Sequence, residues 1–210
     1  MQLVIGNKNY SSWSLRPWLG LKVADIPFEE TLLPLYEPDA RSQRLAFSPT
    51  GKVPLLVDGE LRVWDSLAIA EYVAEKFPDR GLWPADVAAR ATARSICAEM
   101  HSGFAALRDI LNMDIRASLQ VGLTPEAQAD IERIIAIWTE CRARFGADGP
   151  FLFGRFSWAD AFYAPVVTRF VTYKIPLPPV AQAYAETILA LPAMQEWITA
   201  AHAEPWTNHK

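Results

Sequence analysis

The sequence predicts a small α/β domain followed by an all-α helical bundle. Three observations carry that reading: the first third switches repeatedly between strand and helix periods, the character changes after Pro78, and no convincing strand follows. The stretch PDRGLWPAD, rich in Pro, Gly and charge, divides residues 1–79 from residues 87–210. A chain of 210 residues suits two such domains and needs no disulfide staples.

The expected order of the first domain is β-α-β-α-β-β-α. Gln2–Gly6 is a short apolar strand ended by Gly-Asn, and Ser14 to Ala24 reads as a helix with Pro17 in its first turn. Phe28–Leu33 is a second strand, and Glu37–Phe47 is charged and weakly helical. Val53–Val57 and Leu61–Trp64 flank Asp58-Gly59, a hairpin signal. Ser66–Phe77 is helical, with Leu67, Ile69, Val73 and Phe77 on an apolar face. Beyond the linker, Val87–Ser118 reads as one long helix kinked near Gly103. Thr124-Pro125 opens another, with Thr as cap and Pro at the first helical position, and Gly146–Gly149 ends it. A helix at Ser157 and two more, near Val180–Leu189 and Met194–Ala203, complete the bundle.

Composition narrows the function classes. Hydrophobic residues make up 51% and charged residues 21%, and the net charge is −4 with no Lys/Arg run, which argues against a nucleic-acid partner. Cys97 and Cys141 lack CxxC spacing, and His101, His202 and His209 form no metal-ligand pattern, so neither a disulfide nor a metal is expected. There is no signal-peptide pattern and no apolar run long enough for a membrane span, so the expectation is a soluble intracellular protein without a membrane partner.

Four local features follow one another. Asn9-Tyr10-Ser11-Ser12-Trp13-Ser14-Leu15-Arg16 lies between the first strand and first helix, where a serine can cap the helix. Gly51-Lys52-Val53-Pro54 sets a proline at a strand start, a poor place inside a sheet and an ordinary one at an edge. Trp64-Asp65-Ser66-Leu67 enters a helix directly from a strand; either Asp65 or Ser66 would cap it, and the amides there suit a carboxylate. Ser157-Trp158-Ala159-Asp160 reads as a capping box with Asp in place of Glu, a folding element.

In this order and spacing the four features, across residues 2–161, resemble the cytosolic glutathione S-transferase family of the serine type. The first is similar to the SSCSWR-like stretch of the zeta class, that of maleylacetoacetate isomerase, with Trp13 where that class has cysteine. The resemblance implies a thioredoxin-like N-terminal domain binding glutathione as co-substrate, and a homodimer. It implies a hydroxyl of Ser11 or Ser12 donating to the glutathione sulfur. Alignment with the zeta-like motif favours Ser11; Ser12, four residues before Arg16, has the spacing of other serine-type members. The physics is sound, because the thiolate is the nucleophile, and a hydroxyl donor and a helix N-terminus both favour it. Pro54 would be cis, Val53 would pair with the cysteinyl backbone, Lys52 with the glycyl carboxylate, and Asp65 and Ser66 with the γ-glutamyl end. The electrophile pocket is expected from Tyr10, Trp13, His101, Phe104, Arg108 and Met113, though Met100, Phe104, Leu107 and Leu111 also fit a core stripe.

The function expected is conjugation of glutathione to a hydrophobic small-molecule electrophile in the cytoplasm. Alternatives are an isomerase of the maleylacetoacetate type, which needs cationic groups for a diacid, and a non-catalytic binding protein. A thiol-disulfide oxidoreductase is disfavoured, since no cysteine precedes Cys97.

Overall fold

The computed structural model describes residues 1–207, so His209 lies outside the described residues. The chain runs β1 (Gln2–Ile5), α1 (Ser12–Val23), β2 (Glu29–Leu32), α2 (Ala40–Phe47), β3 (Leu55–Asp58), β4 (Leu61–Trp64) and α3 (Ser66–Lys76). Helices α4 (Val87–Ser102), α5 (Ala105–Ile110), α6 (Pro125–Phe145), α7 (Trp158–Thr172), α8 (Pro179–Leu189) and α9 (Pro192–Ala203) follow. The expected α/β unit and helical bundle are both present.

The sheet order is β2-β1-β3-β4, with β1 parallel to β2 and antiparallel to β3. As the period of a strand requires, Leu3 and Ile5 point into the main core with α1 and α3, while Val4 joins Leu33 and Leu55 on the other face, beside Phe47. Gly59 makes the β3–β4 turn at φ 62°.

α1 begins at Ser12, two residues before the expected Ser14, because Ser11 caps it by accepting from the Ser14 N–H at 3.3 Å. Pro17 therefore sits in the helix body rather than the first turn, and the Trp13 carbonyl loses its amide partner there. The helix is buried nearly all round, pressed between the sheet unit and α7 and α9.

The long helix expected over 87–118 is not formed. Gly103 leaves helical geometry at ψ −165° and Phe104 turns left-handed at φ 59°. The Arg108 guanidinium donates to the Met100 carbonyl and, at 3.0 Å, to the Gly103 carbonyl, satisfying the end of α4. Beyond α5 the chain crosses to the first loop, where the Asn9 side chain donates to Asp114 Oδ1 (2.8 Å) and accepts from the Arg116 N–H (2.9 Å). Those bonds replace the i→i−4 ladder.

α7 starts with the expected capping box. Asp160 Oδ2 accepts from the Ser157 N–H (2.8 Å) and hydroxyl (3.1 Å), and Oδ1 from the Leu152 N–H (3.1 Å). Asp160→Ala orphans these buried donors and should cost about 3 kcal/mol in urea unfolding. Burial pushes the Asp160 carboxyl up from 3.8 to about 6, against the hydrogen bonds that lower it. The fold thus holds this proton more tightly than the unfolded chain does. The group's contribution to stability is greatest below about pH 4 and is lost as pH rises towards about 6. The deficit of Asp160→Asn should accordingly be larger near pH 4.5 than at pH 7; a constant deficit would contradict the assignment.

Candidate active site

A cleft of about 1290 Å³ opens between the sheet unit and the helical bundle. Its floor is the loop from β1 into α1, carrying Tyr10, Ser11, Ser12 and Trp13; one wall is Thr50–Pro54 and Trp64–Ser66. The opposite wall comes from the bundle, with His101, Arg108, Met113, Arg169 and Tyr173.

The two serines differ in their bonding. Ser11 Oγ donates to Ser14 Oγ at 2.7 Å, and Ser14 Oγ also accepts from the Gly6 N–H at 3.0 Å. Ser12, the first residue of α1, accepts from Arg169 Nη2 at 3.3 Å, and among the described residues nothing accepts its proton. A hydroxyl polarised by a guanidinium at a helix N-terminus is an apt donor to an anion.

The wall that the N-terminal unit contributes is set by two turns. The Val53-Pro54 peptide is cis, and Arg44 Nε holds the preceding loop through the Gly51 carbonyl at 2.9 Å. Asp65 caps α3, accepting from the Leu67 N–H at 2.8 Å, with φ 75° in a region rare for a side-chain-bearing residue. Its other oxygen meets His101 Nε2 at 3.1 Å. Ser66 is buried and accepts from Arg16 Nη1 at 3.2 Å.

Cations dominate the cleft of this acidic chain. Its lining holds Arg44, Lys52, Arg108 and Arg169 against the carboxylates Asp65 and Asp114. The guanidinium carbons of Arg16 and Arg108 lie 4.2 Å and 4.9 Å from the centroid of the Trp13 ring. Burial, and then the neighbouring Arg108, lowers Arg16 to about 9 and Arg169 to about 10. Burial likewise lowers Arg108, and lowers His101 against the opposing pull of Asp65. Such crowding of positive charge favours bound anions and ionised thiols. The chain's own thiols are not so placed. Cys97 is buried and its thiol held well above its usual range by that burial, and burial pushes Cys141 up to about 12.

Residues 10–76 match the family model for the glutathione S-transferase N-terminal domain, and residues 122–200 that for the C-terminal domain. The chain belongs to the glutathione S-transferase family. A dichloromethane dehalogenase of Methylorubrum extorquens is 49% identical over 61 residues, covering 28% of this chain and 21% of that protein. A probable maleylacetoacetate isomerase of Caenorhabditis elegans is 35% identical over 112 residues, 53% of this chain and 51% of that protein. The chain thus spans about half or less of the length of these curated relatives. A glutathione transferase homolog from Burkholderia GL BGR1, solved with bound glutathione, superposes with a TM-score of 0.71 at 25% identity, covering 96% of this chain and 97% of that one.

Within this glutathione S-transferase fold, the cleft gathers Tyr10, Ser11, Ser12, Trp13, Lys52, Val53, Pro54, Asp65, Ser66, His101, Arg108 and Met113. Phe104, also expected there, does not line this cleft and is buried in the core, 7% exposed. Trp64 is 47% exposed and lines the cleft, whereas Trp83 is buried. Arg169 was missed by sequence reasoning; the available signal was a lone arginine in the otherwise apolar run AFYAPVVTRFV.

Proposed function

We propose that this chain binds glutathione in the cleft, keeps its sulfur ionised through the Ser12 hydroxyl, and joins that sulfur to an electrophilic carbon, the leaving group departing with its bonding electrons. The observation carrying the reading is the Ser12 hydroxyl at the α1 N-terminus, backed by Arg169 and with its proton uncommitted among the described residues. The zeta-like stretch favours Ser11, but the Ser11 hydroxyl is engaged with Ser14 and caps the helix. We therefore assign Ser12 as the sulfur's donor and Ser11 as its support.

Residues 1–79 supply the glutathione side of this proposal. Val53 offers backbone groups to the cysteinyl unit, in the manner of an added strand, and Lys52 an ammonium to the glycyl carboxylate. Ser66, with Arg16 behind it, suits the γ-glutamyl carboxylate, and Asp65 suits the ammonium. The helical bundle supplies His101, Arg108 and Met113 to the electrophile side, and Tyr10 and Trp13 of the first unit add its aromatic wall. The proposed reaction calls for no metal, since proximity and ionisation of the thiol supply the rate. A two-fold homodimer and a cytoplasmic location, both expected from the family, complete the proposal.

Retention on immobilised glutathione tests the binding half. Asp65→Asn should weaken glutathione affinity about tenfold, by loss of the charge facing the ammonium. Equal retention by the variant would contradict the assignment.

One observation favours a second reading. The excess of arginine in the cleft suits a dianionic substrate better than a neutral one. In that case a sulfur adduct of a cis-diacid would rotate and expel glutathione unchanged. Product analysis separates the two: a thioether that persists marks the transferase, and an isomerised acid with glutathione regenerated marks the isomerase.

A further inference from the structure

The backbone of the Lys8–Asn9 turn, two residues before the serines, is held by groups far along the chain. Glu204, just past α9, accepts the Lys8 N–H at Oε1 (2.5 Å) and the Asn9 N–H at Oε2 (3.1 Å). Trp197 Nε1 donates to the Lys8 carbonyl at 2.9 Å, and the Ile115 N–H to the Asn9 carbonyl at 3.4 Å. Arg116 spans the same junction, donating to the Glu204 carbonyl (2.8 Å), the Trp206 carbonyl (2.6 Å) and Tyr10 Oη (3.0 Å). The turn continues into the site, since the Asn7 carbonyl accepts from the N–H groups of Tyr10 (3.2 Å) and Ser11 (2.8 Å). A carboxylate taking two adjacent amides fixes the direction of that peptide more tightly than any neutral acceptor in its place.

We propose that Glu204 is a positioning residue for the reaction, setting the β1–α1 turn so that the α1 serines meet the glutathione sulfur at donor distance. This rests on the serine-activation reading above. Among the described residues, the charged groups that act on the carboxylate are Arg116 and Lys8, both cationic. Lys8 is itself tied to Glu30 at 2.8 Å.

Glu204→Gln keeps the size but offers one acceptor where two amides point, and turns an NH₂ donor towards the other. With glutathione saturating, the acid limb of the profile of kcat/KM for the electrophile reports ionisation of the bound thiol. In the variant it should move up by about one pH unit, with kcat down about tenfold and KM for glutathione within about twofold, because Lys52, Val53, Asp65 and Ser66 are untouched. Glu204→Asp, which keeps the charge and both oxygens, should fall between variant and parent, and it carries the test if Glu204→Gln does not fold. An acid limb that stays in place while the melting temperature drops would overturn the inference, leaving Glu204 a fastener of the fold alone. A parent enzyme that itself shows no lowered thiol pKa would instead sink the serine reading, and this inference with it.

Discussion

Ser12→Ala is expected to lower kcat/KM for conjugation of a reactive aryl halide about 10²–10³-fold, the loss found when one donor to a developing or bound oxyanion is removed. KM for glutathione should change little, since the tripeptide's backbone and carboxylates are held elsewhere. Ser11→Ala should behave differently. It removes the cap of α1 and the hydrogen bond to Ser14, at about 1 kcal/mol of stability, and it lowers the rate only as far as the turn loosens. Steady-state kinetics beside urea unfolding distinguishes these outcomes. If Ser11→Ala loses activity and Ser12→Ala keeps it, the roles assigned to the two hydroxyls are reversed.

The second large effect concerns the contact that joins the two halves. A Cβ on Gly20 would lie 1.9 Å from Cζ3 and 2.4 Å from Cη2 of the fully buried Trp158 at the start of α7. α1 and α7 therefore approach as closely as they do only because residue 20 has no side chain. Gly20→Ala must push the indole or the helices apart, and it should cost about 3 kcal/mol, near the upper end for overpacking, with a fall in Tm of roughly 10 °C. The same displacement moves Ser12 on α1 away from Arg169 on α7, so activity should fall further than stability explains. Trp158→Leu in the same chain makes room and should recover part of the loss, a coupling above about 1 kcal/mol in a double-mutant cycle. Strict additivity would show that the two residues do not press on each other.

Local patterns in the sequence carried much of the fold. The order of strands and helices to α3 followed from short-range periodicity and from Asp58-Gly59, and the α6 and α7 starts from Thr124-Pro125 and Ser157-x-x-Asp160. The exception at Gly103 is instructive. Met100, Phe104, Leu107 and Leu111 keep helical spacing and are all buried, yet the backbone between them leaves the helix. Periodicity there reported which residues face the core, and the side chains of Arg108 and Asn9, which decide the backbone path, come from outside the pattern.

The site divides in the same way. The residues expected on the glutathione side are contiguous motifs at element ends, and the structure brings them to one cleft. Arg169 reaches Ser12 across 157 positions and Glu204 reaches Asn9 across 195, separations at which spacing carries no signal. A lone charge in an apolar helix was the one available hint. The same distance explains why Ser11 and Ser12 could not be told apart from sequence: what separates them is Ser14 on one side and a distant arginine on the other.

The ionisation of glutathione's thiol inside the complex, followed by the thiolate's ultraviolet absorbance as pH is raised, tests the central claim most directly. In the parent protein the sulfur should titrate below about pH 7, against about 8.5 for an ordinary thiol, and in Ser12→Ala it should return most of the way to that value. A bound thiol that titrates like the free tripeptide in the parent, or equally low in parent and variant, would contradict the account.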